Sequence, residues 1–232
     1  MVDSAPALFQ LAPGHSGPAI IAHGGGNSVA LAHDFLDQGA DFLEVDLWLR
    51  DGHFEARHER RLRWLPLLFE KWYLRRAPGA LYGLDELLNE TAEHNAGIFL
   101  DLKNGGASAA ALLRRVLART AHPRRVVASS QQWLALRSIR ELLPEVEAFY
   151  SIDVRAKLDL FLSITDRDTR PRGVSCRHSL LSERIVELLH KRGLLVVAWT
   201  VDDVERAREL VGWGVDGLTT HKVREMRAEF VS

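Results

Sequence analysis

Short apolar runs alternate with amphipathic helical patterns along nearly the whole chain. AIIAH, FLEVDLWL, GIFLDLK, RVVASS, EAFYS, GVSC, LLVVAWT and DGLTT read as strands. Between them, SVALAHDFLDQG, LDELLNETAEHN, SAAALLRRVLARTAHP, QWLALRSIRELLP, SERIVELLHKRG and DVERARELVGWG repeat apolar residues at helical spacing. Gly39, Gly193, Gly214, Pro123 and Pro144 stand where such helices should stop. Eight strands of this kind in 232 residues predict an α/β fold, a (β/α)8 TIM barrel rather than an open sheet, forming one domain over 1–232.

One connection breaks the alternation. After FLEVDLWL, an Asp51-Gly52 turn and the run HFEARHE suggest a hairpin partner in place of a helix. The stretch 59–82 that follows is rich in Arg, Leu and aromatic residues and forms a short insertion. It reads either as a lid with a lipid-facing lip, or as a helix pair over one mouth of the barrel with Arg stems lying on apolar surface.

In a TIM barrel the reactive side chains gather at the C-terminal ends of the strands. Those ends carry His23, then Glu44 and Asp46, then Asp101 and Lys103, then Ser129 and Ser130, then Trp199. Glu44 and Asp46 are two apart on one strand, so they face the same way, and in the lumen they repel unless a cation lies between them. With Asp101 they make a three-carboxylate set, without the Cys or His spacings of a softer site, and that set suits a hard ion such as Mg²⁺ or Ca²⁺. Lys103, on the same face as Asp101, is placed to hold a phosphate oxygen.

The glycines after His23 admit other readings. HGGG at His23–Gly26 is the oxyanion loop of some esterases, but the nearest nucleophile elbow, GVSCR, has Arg177 where a second glycine is needed. Neither GxGxxG nor a Walker pattern follows any strand. A formal net charge of −1 excludes a global field for nucleic acid, and at most peripheral membrane contact is expected. The single cysteine, Cys176, rules out an internal disulfide and reads as a core residue; with no basic-apolar leader and no run long enough to span a bilayer, a cytoplasmic location is expected.

The order of these residues resembles the glycerophosphodiester phosphodiesterase family. The resemblance is carried by AHGGGNSVALAHDFLDQGADFLEVDLWLRDGHFEARHE, by FLDLK, and by LLVVAWTVDDVERARELVGWGVDGLTT. It implies a barrel of the phospholipase-C-like phosphodiesterase type and metal-dependent cleavage of a glycerophosphodiester to an alcohol and glycerol phosphate. Glu44, Asp46 and Asp101 would hold one divalent ion, Mg²⁺ or Ca²⁺. His23 and His58 would be the acid and base, and Lys103, Gly24, Asn27 and Trp199 would face the substrate phosphate. On this reading the glycines let backbone approach the phosphate closely.

The chain departs from the family pattern at several positions. Gly24 stands for an Arg, Gly26 for a Glu, Asp101 for a Glu, Glu59 for an Asp, Gln131 for a Phe and His221 for an Asp. The missing Arg removes a bidentate phosphate contact. The sphingomyelinase D and phospholipase D toxins likewise lack that Arg and use Asp-x-Lys, which makes a lysophospholipid, cleaved to a cyclic phosphate or hydrolysed, an alternative substrate. A phosphodiester-binding barrel without catalysis is the other alternative.

Overall fold

The computed structural model describes residues 17–62, 65, 67–70, 73–77, 81–119, 125–165 and 171–231. The N-terminal 16 residues, Trp64 and Trp72 of the insertion, and Pro123 lie outside the described residues.

Eight parallel strands close into a barrel: β1 (Ala19–Ala22), β2 (Phe42–Arg50), β7 (Gly97–Leu102), β8 (Val126–Ser130), β9 (Glu147–Ile152), β10 (Gly173–Arg177), β11 (Leu195–Trp199) and β12 (Gly217–Thr220). Closure is made by β1, which pairs with β12 on one side and with β2 on the other, Ile21 opposite Phe42. Around it lie α1 (Val29–Asp37), α2 (Leu84–Glu90), α3 (Gly106–Leu117), α4 (Trp133–Leu142), α5 (Arg155–Thr165), α6 (Glu183–Lys191), α7 (Val204–Gly212) and α8 (Val223–Phe230). Among the described residues no helix is long and apolar enough to cross a membrane.

Strand alternation splits the core in two. Outward residues such as Leu43, Val45, Leu47, Ile98, Leu100 and Val174 pack under the helices in one large cluster that also holds Cys176. Inward residues Ile21, Phe42, Phe99, Val127, Phe149 and Val197 plug the lumen floor. Each fully buried side chain of this size contributes roughly 1.5–3 kcal/mol. Because side chains alternate along a strand, the next inward position toward the C-terminal end lies one layer above the plug. On β7, β8, β9 and β11 that position holds Asp101, Ser129, Ser151 and Trp199; on β2, Glu44 is level with Phe99 of the plug and Asp46 is level with Asp101.

The barrel floor is fastened by two aspartates that follow helix-ending glycines. Gly39 (φ 87°) and Gly214 (φ 90°) take the left-handed conformation that ends α1 and α7. Asp41 Oδ2 then accepts the Ile20 N–H at 2.8 Å, and Asp216 Oδ2 accepts the Val196 N–H at 2.7 Å. The Gly-Ala-Asp and Gly-Val-Asp segments are therefore architectural.

The Asp51-Gly52 turn is a hairpin, with both residues at positive φ, and joins β2 to the antiparallel β3 (His53–Ala56). Among its described residues the insertion is not a helix pair. Its described residues form a three-stranded antiparallel sheet, β4 (Arg60–Arg61), β5 (Leu67–Glu70) and β6 (Tyr73–Arg76). Pro66 and Pro78 flank β5 and β6 in the sequence and oppose a continuous helix. Leu68 is its fully buried anchor, whereas Leu65, Tyr73 and Leu74 are exposed.

Candidate active site

A pocket of about 190 Å³ opens at the C-terminal mouth of the barrel. Its lining includes His23, Glu44, Asp46, His58, Asp101, Lys103 and Trp199. Strand register explains the convergence: Asp46 of β2 is level with Asp101 of β7, and Asp101 is level with Ser129 of β8. Glu44 lies one layer below Asp46, beside Phe99 of the plug.

Carboxylate oxygens of Glu44, Asp46 and Asp101 come within 4.8 Å of one another. The Lys103 ammonium donates to Asp101 and pairs with Asp46 as well. Burial, and then the neighbouring Asp46 charge, push the Glu44 pKa well above the usual carboxylate range. Burial also raises Asp101, against the pull of Lys103. Burial acts to raise Asp46 too, but the Lys103 charge and hydrogen bonds from Lys103 and Asn27 hold it low. Burial alone would depress Lys103, yet Asp101, Asp46 and Glu44 together push it up. Three carboxylates with one cation among them form an electron-rich cage short of positive charge, and that donor chemistry fits a hard divalent ion.

Gly24 and Asn27 have partners inside the protein. The Gly24 N–H donates to Glu44 Oε2 at 2.6 Å. Asn27 donates to Asp46 Oδ2 at 2.7 Å and accepts the Asp46 N–H at 2.9 Å. Both residues therefore brace the carboxylates. The three glycines also have local reasons in the fold. Gly24 has φ 63°, a left-handed backbone, whereas a Cβ on Gly26 would stand 2.6 Å from Val45 Cβ and one on Gly25 2.9 Å from Ala22 Cβ. Gly25 and Gly26 are there because β1 and β2 leave no room.

His23 follows β1, and its Nδ1 lies 3.0 Å from the Thr200 hydroxyl, which leaves Nε2 for a ligand. Burial, followed by the charge of His221, lowers its pKa to about 4, so the ring is neutral at pH 7. His58 sits two residues past β3, half-exposed on the rim, with Nδ1 3.1 Å from Glu70 Oε1 of β5. Glu59, next in sequence, is buried and accepts from Tyr73 Oη at 3.2 Å and Arg75 Nε at 2.7 Å. The insertion is thus pinned by Glu59 and reaches back through Glu70 to hold His58. Trp199 lines the pocket, and its buried Nε1 has no hydrogen-bond partner among the described residues. A second cleft, of about 840 Å³, shares Lys103 with the pocket and runs under the insertion past Trp48, Leu49, Arg60 and Phe69.

A sequence model of the glycerophosphoryl diester phosphodiesterase family matches residues 91–225. The chain belongs to that family. It is accordingly a phosphoric diester hydrolase. The matched segment contains Asp101, Lys103, Trp199 and His221, whereas His23, Glu44, Asp46 and His58 lie before it. No curated protein sequence matches the chain. Among solved structures, it is similar to an Oleispira antarctica phosphodiesterase in complex with the product sn-glycerol-3-phosphate, at 20% identity and TM-score 0.74, over 91% of this chain and 96% of that one. It is also similar to glycerophosphodiester phosphodiesterases from Thermotoga maritima (20% identity, TM-score 0.73, 93% and 99% covered) and Parabacteroides distasonis (20%, 0.73, 93% and 98%). At these identities the likeness is one of fold. Family membership therefore sets the reaction class, and the arrangement of this chain's own side chains has to supply the mechanism.

The sequence reading singled out every residue of the pocket's charged cluster, but it did not count Glu70, Thr200 or Asp202 among functional residues. Glu70 and Asp202 end none of the barrel's apolar runs, Thr200 only follows Trp199 at the end of one, and each acts by holding a histidine. His221 was noted only as a departure from the pattern.

Proposed function

We propose that this family member cleaves a glycerophosphodiester to an alcohol and glycerol phosphate, with Glu44, Asp46 and Asp101 holding one divalent ion, most simply Mg²⁺, and His23 and His58 moving the protons. The reading is carried by one observation: three convergent carboxylates, two of them buried, share a pocket with a histidine kept neutral by burial. A bound divalent ion would polarise the phosphoryl oxygens and offset the charge growing on them.

The residues divide the remaining work. His23, neutral with Nδ1 held by Thr200, accepts through Nε2 the proton of the attacking hydroxyl, from water or from the glycerol itself. The bond from phosphorus to the leaving alcohol's oxygen breaks, and that oxygen takes a proton from His58, which Glu70 orients. Lys103, at the junction of pocket and cleft, faces the phosphate as a point charge, with the leaving group directed along the cleft. A lysophospholipid is the second reading, favoured by exposed Leu65, Tyr73 and Leu74 beside the basic strand β6.

Phosphorus NMR tests this. Glycerophosphocholine and lysophosphatidylcholine are each incubated with the protein and Mg²⁺, Ca²⁺ or chelator, with His23→Ala as control. Metal-dependent loss of a diester signal, absent in the variant, is the expected result, and the product shift separates a linear monoester from a cyclic phosphate. Retention of both diesters under every metal overturns the catalytic reading in favour of a binding barrel.

A further inference from the structure

The pocket is poor in cations. Its described lining contains Lys103 and no arginine, and Lys103 already serves Asp46 and Asp101. A further imidazole stands beside His23 of that lining. His221, the first residue after β12, places its ring 4.5 Å from the His23 ring, centroid to centroid, tilted by 33°. Its Nδ1 is 2.8 Å from Asp202 Oδ2. Asp202 Oδ1 also accepts the His221 backbone N–H at 2.8 Å and the Thr220 hydroxyl at 2.9 Å. One carboxylate thus clamps both the backbone and the ring of His221. With Nδ1 fixed, Nε2 is the nitrogen left for a ligand, on a ring about half-exposed at the rim.

We propose that His221, aimed by Asp202, is a phosphate-contacting catalytic residue of this site, its Nε2–H donating to a non-bridging phosphate oxygen in the place of the absent arginine. This rests on the phosphodiesterase reading above and adds a residue to it. The two neighbouring rings have separate parts: buried His23 stays neutral as a base, and His221, its Nδ1 held by Asp202, keeps Nε2 for the phosphate oxygen. The other charged groups near it, Lys222 and Glu225, pair with each other at 3.0 Å. The chain contains its own control. His190 and Asp216 form a second His–Asp pair at 3.0 Å, but at the barrel floor, where Asp216 also fastens β11.

The test uses the full chain and two readouts. Calorimetric titration with inorganic phosphate in Mg²⁺, and kinetics on glycerophosphocholine, are run on wild type, His221→Ala, His221→Arg and Asp202→Asn. The expected result for His221→Ala is phosphate affinity weaker by about 10- to 100-fold, the size of a lost charge-assisted hydrogen bond. KM should rise by a similar factor, and the circular dichroism should be unchanged. His221→Arg should recover most of the affinity, since a guanidinium fork can serve Asp202 and phosphate together. Asp202→Asn should fall between. Affinity and KM within twofold of wild type in His221→Ala, or no recovery in His221→Arg, overturns the proposal. If wild type binds phosphate but turns over no diester, the phosphodiesterase reading fails by itself, and the phosphate titration still decides the role of His221.

Discussion

Asp46 and Asp101 stand level on adjacent strands with the Lys103 ammonium between them. Two buried carboxylates so close cannot both remain ionised without a cation, so Lys103 has a structural duty before any substrate arrives. Lys103→Met should destabilise the metal-free protein by about 3 kcal/mol, the cost of leaving a buried charge unpaired. Urea unfolding in chelator and in Mg²⁺ measures this, and the divalent ion should recover much of the loss. Equal stability of variant and wild type in chelator would show that the pairing contributes nothing.

His23 makes stability depend on pH. Its folded pKa of about 4 lies below the ordinary 6.5, so between those values the unfolded chain binds more protons than the folded one. Stability from this group is fully present above pH 6.5 and is lost as pH falls toward 4. The change is roughly 3 kcal/mol at most. Comparing wild type with His23→Asn at pH 4.5 and pH 7 isolates it, because other groups cancel. The variant should lose less stability on acidification; parallel losses in the two proteins would contradict a buried neutral ring.

Asn27 should matter through Asp46. Asn27→Ala removes both the donor to the carboxylate and the acceptor of the Asp46 N–H. A cost of about 1–3 kcal/mol in stability is expected, with about 10- to 100-fold weaker divalent-ion binding. Calorimetric Mg²⁺ titration reads the second effect, and unaltered affinity would remove Asn27 from the site.

Gly26 is a packing residue. A Cβ there would meet Val45 Cβ at 2.6 Å and Leu87 Cδ2 at 2.9 Å, and Val45 lies between Glu44 and Asp46 on β2. Gly26→Ala should cost about 1–3 kcal/mol by overpacking and lower the melting temperature. A neutral effect on melting would reopen the idea that this glycine exists for the ligand.

His58 and Glu70 form a pair that only the folded insertion creates. His58→Ala should reduce kcat by about 10²–10⁴-fold, as expected for loss of a proton donor. Glu70→Gln should reduce kcat by a smaller factor with KM nearly constant, since it alters the aim of His58 and leaves the phosphate contacts alone. Steady-state kinetics on the better of the two NMR substrates decides, and a Glu70→Gln enzyme with wild-type kcat would end the positioning role.

The barrel was legible because its strands are short apolar runs bounded by helix stops such as Gly39, Gly193 and Gly214, all at positive φ in the fold. Helices α5 and α8 were missed. Leu160 and Ile164 are apolar yet exposed on α5, which blurs the helical period, and α8 buries only Val223 and Met226. A helix pair over 59–82 suits its composition, but its prolines oppose one, and its described residues form a small sheet anchored by buried Leu68.

Period-two alternation along β2 and β7 was enough, from sequence alone, to put Glu44, Asp46 and Asp101 on inward faces, because a strand leaves each side chain only two directions. What each carboxylate and histidine is bonded to could not be read that way. Gly24 to Glu44, Asn27 to Asp46, Glu70 to His58 and Asp202 to His221 join positions 12 to 20 residues apart through loop geometry, and His23 meets Thr200 and His221 only because β1 closes the barrel beside β12. Hydrogen bonds act over about 3 Å, and periodicity carries no information about distances between loops at that scale. Closure of the barrel decided them.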